Sequence, residues 1–205
     1  RSSTPKSWKS PVTAPQTTSF EQGSDTWKQW RQRALNELYF MADVVLGYGP
    51  RVPMSPIEHL LMVRFVEKKT GHPLLDTAPR RLVLVPREVG KSTLITQAYT
   101  IQCICRDPET SILIANEKEE NAKSFLSEIK RQFESNELLR ALFPDLVPSA
   151  FHDTTWSATR IIVNRTTGRP DPTIDVAGVG AALAGKHPDS ADCDDIISRE
   201  AMENA

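Results

Sequence analysis

The chain has 205 residues, of which 25% are charged and 39% hydrophobic, and its formal net charge is −1. This composition predicts a globular protein with one sizeable core, and it excludes a broadly basic surface as the means of binding nucleic acid. No apolar run reaches the roughly 18 residues of a membrane-spanning helix, and no signal peptide is visible, so we expect no membrane association. The three cysteines have no regular spacing, which indicates a reducing compartment rather than a disulfide scaffold.

The N-terminal quarter of the chain divides into a tail and two helices. Residues 1–23 are rich in Ser, Thr and Pro, which predicts a flexible tail. Residues 24–50 form the next unit, in which apolar residues recur at helical spacing to about Val45. Residues 51–205 form the main domain, and its first helix begins with a capping box at Ser55. We expect that helix to bury Ile57, Leu61 and Phe65.

The next feature is a short apolar run followed by a turn that ends in Gly-Lys-Ser-Thr. Leu82–Val85 predicts a strand buried on both faces of a parallel sheet, and a helix is predicted from there to about Cys105. This order of strand, turn and helix is typical of a phosphate-binding loop, in which Lys91 reaches the β- and γ-phosphates and Ser92 binds Mg²⁺. The match lacks the first glycine of the full pattern, whose place Val85 takes. An ordinary strand–turn–helix with an exposed lysine stays an alternative.

The central part of the chain alternates between strands and helices. Ser111–Ala115 predicts a second buried strand, and an amphipathic helix follows from about Glu117. Two further strands, Thr159–Asn164 and Thr173–Ala177, predict an antiparallel hairpin. The fold class is therefore α/β, with a mostly parallel central sheet flanked by helices.

A second candidate site lies in the acidic stretch from Asp189 to Ile197. A nucleotide hydrolase needs one carboxylate to hold Mg²⁺ and usually another to orient the attacking water. Asp194 fits the first role and Asp195 the second, provided that the preceding residues form a strand beside the loop. Asp192 argues against a buried strand because an unpaired carboxylate in a core costs several kcal/mol. An acidic loop that caps a helix is the alternative.

Together these two motifs resemble those of the large terminases of tailed bacteriophages, which are DNA-packaging motors. The resemblance covers about residues 50–200. Its first motif is the loop with an arginine just after the strand, and the second is the stretch from Gly185 to Asp195. It implies a P-loop NTPase fold of the ASCE type. The residues that it assigns to ATP and phosphate binding are Pro86, Arg87, Glu88, Val89, Gly90, Lys91, Ser92 and Thr93.

The resemblance also implies roles, ligands and partners. Lys91, Arg87 and Asp195 would be catalytic, Ser92 and Asp194 would hold Mg²⁺, and ATP would be the nucleotide. The partners would be double-stranded DNA, a portal protein, a small terminase subunit and further copies of the chain in a ring. The location would be the bacterial host cytoplasm, with transient attachment to the procapsid. The residue that acts on a neighbouring subunit's nucleotide would be basic, and the candidates are Lys186, Arg160, Arg165 and Arg169.

Two departures from the resemblance define the alternatives. The strand before Asp194 is polar, and the chain ends soon after it, so we expect the domain to be incomplete at its C-terminus and the nuclease domain to be absent. We therefore expect that this stretch does not encode nuclease activity. The alternatives are another P-loop nucleic-acid translocase or helicase, and a P-loop assembly module that does not hydrolyse ATP.

Overall fold

The protein has an α/β architecture in which helices flank a four-stranded mixed sheet. The structure is a computed structural model, and it describes residues 21–49, 58–152, 155–181 and 186–196. The α-helices of the described residues are α1 (Asp25–Asn36), α2 (Leu38–Phe40), α3 (Glu58–Val66), α4 (Pro73–Thr77), α5 (Thr100–Arg106), α6 (Glu119–Ser135) and α7 (Glu137–Leu142). Met41–Val45 and Thr93–Tyr99 are π-helical, and Pro144–Leu146 forms a 3₁₀ turn. The strands are β1 (Ile112–Asn116), β2 (Arg160–Ile161), β3 (Ile174–Gly178) and β4 (Ser190–Asp194).

The sheet has the order β2-β3-β1-β4, which puts the acidic strand β4 directly beside β1. β1 runs parallel to both β3 and β4, whereas β2 is antiparallel to β3. In this register Asn116 lies opposite both Gly178 and Asp194. The carboxyl ends of the three parallel strands therefore meet at one edge, where open α/β sheets place their ligands.

The core lies between one face of the sheet and the helices. Ile114 and Val176 share that face, because residues in register point to the same side, and both are buried with the inner faces of α5 and α6. α6 presents an apolar stripe to this core that is fully buried at Leu126, Ile129 and Phe133. The N-terminal helices close the far side of the core, where the indole Nε1 of Trp27 donates to the Ala141 carbonyl at 2.8 Å.

The structure confirms the class of the fold and most of its elements. The predicted strand at Ser111–Ala115 is β1, and the predicted hairpin is the antiparallel pair β2–β3. The stretch before Asp194 forms a strand rather than a capping loop. This strand is polar, as its sequence indicates, and three of its five residues are exposed at the edge of the sheet.

Two predictions are wrong. Leu82–Val85 is not a buried strand: the chain is extended there without entering the sheet, and Leu82 and Leu84 are 76% and 82% exposed. Among the described residues β4 is an edge strand that pairs only with β1, and the apolar run does not add to its open side. Leu61 is also exposed rather than buried, because α3 turns the face of His59, Met62, Val63 and Val66 to the core.

Some predictions fall on residues outside the described ranges. These are the tail up to residue 20, the capping box at residues 55–57 except its glutamate, and the glycine at position 185. No helix of the described chain is both long and apolar enough to cross a membrane.

Candidate functional site

The two motifs that lie about 100 residues apart in the sequence come together in the structure. The Nζ atom of Lys91 is 2.6 Å from Oδ1 of Asp194 and 2.8 Å from Oδ1 of Asp195. The Ser92 hydroxyl donates a hydrogen bond to Oδ2 of Asp194. Asp194 is buried, whereas the Asp195 side chain is 81% exposed. The site therefore has an inner carboxylate beside the hydroxyl and an outer one open to solvent.

The loop 86–92 reaches this position through two residues in the left-handed conformation. Glu88 has φ 69° and Gly90 has φ 72°. Glycine adopts such angles without cost, but a residue with a Cβ does not. Gly90 then accepts the first helical hydrogen bond, from Leu94 N at 2.9 Å, and the π-helical segment Thr93–Tyr99 follows. The loop thus ends at the N-terminus of a helix, a position that favours anions.

The acidic end of β4 is held by Asn116, the last residue of β1. Its Nδ2 donates to the Asp194 carbonyl at 2.7 Å, and its Oδ1 accepts from Lys118 N and from Asn121 Nδ2, each at 3.0 Å. A backbone hydrogen bond from Glu117 N to the Asp195 carbonyl adds a further link. One buried amide therefore fixes the end of β4 relative to β1 and the start of α6.

The surroundings of Asp192 and Lys91 raise the pKa of each. Burial raises the pKa of Asp192 to about 6, and the charge of Asp194 adds to this, while a hydrogen bond with Thr96 and the charge of Lys91 oppose it. Burial lowers the pKa of Lys91, but its hydrogen bonds to Asp194 and Asp195 outweigh burial, and the net pKa is raised. Lys91 therefore stays charged at neutral pH and balances the carboxylates.

The donor set at the centre of the site suits Mg²⁺. This ion prefers oxygen ligands and is usually held by one or two carboxylates together with phosphate oxygens and water. The Ser92 hydroxyl and the Asp194 carboxylate supply such oxygens in direct contact. In the described part of the chain, no group of three or more His, Cys, Asp or Glu side chains could hold a metal on its own. A metal here would therefore depend on phosphate oxygens for the rest of its shell.

Other predicted site residues lie around the loop. Pro86, Arg87 and Glu88 are exposed, and Thr93 is half-buried at the start of the π-helical segment. Val89 is half-buried, and its carbonyl contacts α3. Arg87 is thus available to a ligand or a neighbouring molecule, although it makes no direct contact with the carboxylates.

Three of the four candidate trans-acting residues have partners among the described residues. Lys186 Nζ is 2.7 Å from Oδ2 of Asp175, whose side chain lies on the face of the sheet opposite that of Asp194. Arg165 donates to the Thr173 hydroxyl and to the Asp171 and Thr110 carbonyls, and Arg169 pairs with Asp189 and Asp171. Arg160 is exposed on β2.

Two residues that support the site could not be assigned to it from the sequence. Asn116 looks like an ordinary end of a strand, and its role needs the pairing of β1 with β4. From the sequence, His59 is typical of a surface or hydrogen-bonded histidine; in the structure it is buried, with its Nε2 2.9 Å from the Val89 carbonyl oxygen. The contact joins residues 30 positions apart, so no local pattern could reveal it.

No family model, no curated protein and no solved structure matches the chain. The site must therefore be interpreted from its own geometry.

Proposed function

We propose that the protein is a magnesium-dependent ATP hydrolase of the P-loop type. The observation that carries the proposal is the convergence of Lys91 and Ser92 with Asp194 and Asp195, at 2.6 and 2.8 Å for the lysine contacts. A helix N-terminus, a lysine, a hydroxyl and two carboxylates of unequal exposure are the groups that in-line phosphoryl transfer to water requires. A chance arrangement of surface charges would not place the hydroxyl against the buried carboxylate.

Each side chain has a role that follows from its position. Lys91 leaves the carboxylates to bind the β- and γ-phosphates, where its charge offsets the negative charge of the transition state. Ser92 and Asp194 would hold the metal ion, which would supply positive charge to neutralise the phosphates and stabilise the leaving group. Asp195 is exposed and one residue further on, so it accepts a hydrogen bond from the attacking water and orients it in line with the γ-phosphate.

The finer proposal is that ATP hydrolysis drives the packaging of double-stranded DNA into a procapsid. The resemblance of both motifs to the large terminases supports it, as does the order of loop, strand and acidic motif. The partners would then be DNA, a portal protein, a small terminase subunit and further copies in a ring. Of the four candidates for a trans-acting residue, Arg160 is exposed on β2 and is the best placed to reach a neighbouring subunit.

Phosphate release from Mg-ATP, measured with and without double-stranded DNA, tests this function. We expect DNA to stimulate turnover, and we expect Asp195→Asn to lower turnover by about 100-fold or more while Mg-ATP binding changes little. Glu120→Gln, an exposed change on α6, serves as the control. Equal loss of binding and turnover in Asp195→Asn would contradict the role given to this residue. DNA unwinding without any packaging activity would favour a helicase.

A P-loop assembly module without hydrolysis is the second candidate. It is favoured by the exposure of Leu82 and Leu84, because the strand that precedes the loop in an active P-loop enzyme is buried in the sheet. Mg-ATP binding without turnover, in the presence of DNA and of all partner subunits, would establish this alternative instead.

A further inference from the structure

His59 is the buried residue of α3 that contacts the loop. The residue is only 4% exposed, and its Nε2 lies 2.9 Å from the carbonyl oxygen of Val89. A carbonyl oxygen can only accept, so Nε2 carries the hydrogen in this contact. A directional hydrogen bond therefore joins α3 to the loop.

The contact falls on the peptide that links Val89 to Gly90. Val89 stands between two residues with positive φ, Glu88 and Gly90. In a planar trans peptide the C=O and the following N–H point in opposite directions. Holding the Val89 carbonyl toward His59 therefore directs the Gly90 N–H away from α3. Alternation of left- and right-handed residues is the backbone geometry that turns N–H groups toward an anion.

We infer that His59 is a positioning residue, which sets the orientation of the Val89–Gly90 peptide and so presents the Gly90 N–H to a phosphate group. This inference rests on the proposed nucleotide site, since the anion is taken to be the triphosphate. Without the hydrogen bond the peptide is free to rotate. A rotated peptide would turn the carbonyl oxygen of Val89 toward the phosphates, where it would repel them.

The test compares two substitutions that differ in hydrogen bonding. His59→Gln keeps an N–H₂ donor at about the reach of Nε2, whereas His59→Leu fills similar space without a donor. His72→Leu, at an exposed histidine, is the control. We expect roughly tenfold weaker binding of Mg-ATP in His59→Leu, recovery of most of that loss in His59→Gln, and no change in His72→Leu.

Hydrogen–deuterium exchange of the loop amides gives a second readout that needs no nucleotide. We expect exchange at Gly90 and Lys91 to be faster in His59→Leu than in the parent, and to be close to the parent in His59→Gln. Equal exchange in both variants, with both folded, would overturn the positioning role. If the parent does not bind Mg-ATP, the proposed function fails, but the exchange data still decide whether His59 orients the loop.

Discussion

The ion pair between Lys91 and Asp194 gives a prediction that does not depend on any ligand. The Nζ to Oδ1 distance is 2.6 Å, and the side chains are 26% and 4% exposed. Opposite charges about 4 Å apart near a protein surface attract by roughly 4 kcal/mol, but desolvation offsets most of that gain. We therefore expect a coupling energy of about 1–3 kcal/mol, between the value of an exposed pair and that of a fully buried one.

A double-mutant cycle measures this coupling. The variants are Lys91→Met, Asp194→Asn and the double variant, and the observable is the free energy of unfolding from urea titrations. Asn at position 194 keeps a side-chain oxygen that can accept from Ser92, so the cycle isolates the lysine contact. Lys91→Met alone should destabilise the protein, because it leaves buried Asp194 beside Asp195 without a compensating cation.

The pair of Lys123 with Glu119 on α6 is a matched control. Its Nζ to Oε1 distance is 2.9 Å, but the glutamate side chain is 45% exposed. A helical pair of this kind is worth about 0.3–0.5 kcal/mol. A coupling at Lys91–Asp194 no larger than this control would refute the claim that the two motifs form one partly buried electrostatic unit.

Three further predictions concern the loop, a turn and a close backbone contact. Glu88→Gly should be about 1 kcal/mol more stable to urea than Glu88→Ala, because only glycine adopts φ 69° without strain; equal stabilities would show that the loop is not strained there. Glu109 accepts four hydrogen bonds from residues 166–167, which lower its pKa from 4.5 to about 2. The ionised Glu109 therefore stabilises the fold fully above about pH 4.5, and this stabilisation is lost as the pH falls toward 2. In unfolding measured as a function of pH, the difference in free energy of unfolding between the parent and Glu109→Gln should stay constant above about pH 4.5 and shrink between pH 4.5 and 2. Gly178→Ala should lower the free energy of unfolding by about 1 kcal/mol, because a Cβ there would lie 3.1 Å from a backbone nitrogen of α6, whereas Gly168→Ala meets nothing within 4 Å and should not destabilise the protein.

The fold and the site differ in how far the sequence could predict them. Periodicity located β1, the hairpin and α6, because a buried strand and an amphipathic helix leave regular apolar patterns. Leu82–Val85 has the same pattern as β1, yet it is exposed. An apolar run indicates that its burial would be favourable. Whether it is buried in the sheet also depends on strands far away in the sequence, which a local pattern does not reveal.

The sequence could predict the charged and hydroxyl side chains of the site, but not the residues that hold them in place. Spacing and chemistry identified Lys91, Ser92, Asp194 and Asp195, and the structure brings them into contact. The polar strand before Asp194 looked unfavourable because a strand buried on both faces must be apolar. It is acceptable here since β4 lies at the edge of the described sheet and Asp192 has Thr96 as a hydrogen-bonding partner.

Binding of Mg-ATP to the parent protein and to Lys91→Ala, measured by titration calorimetry, tests the central claim most directly. Binding is a better first measurement than turnover, because turnover can require a positive side chain from a neighbouring subunit. Lys123→Ala, which removes an exposed lysine of α6, is the control. The account predicts saturable binding by the parent and the control, and a loss of at least about 30-fold in affinity for Lys91→Ala. Equal affinity in all three proteins, or no binding by the folded parent, would contradict it.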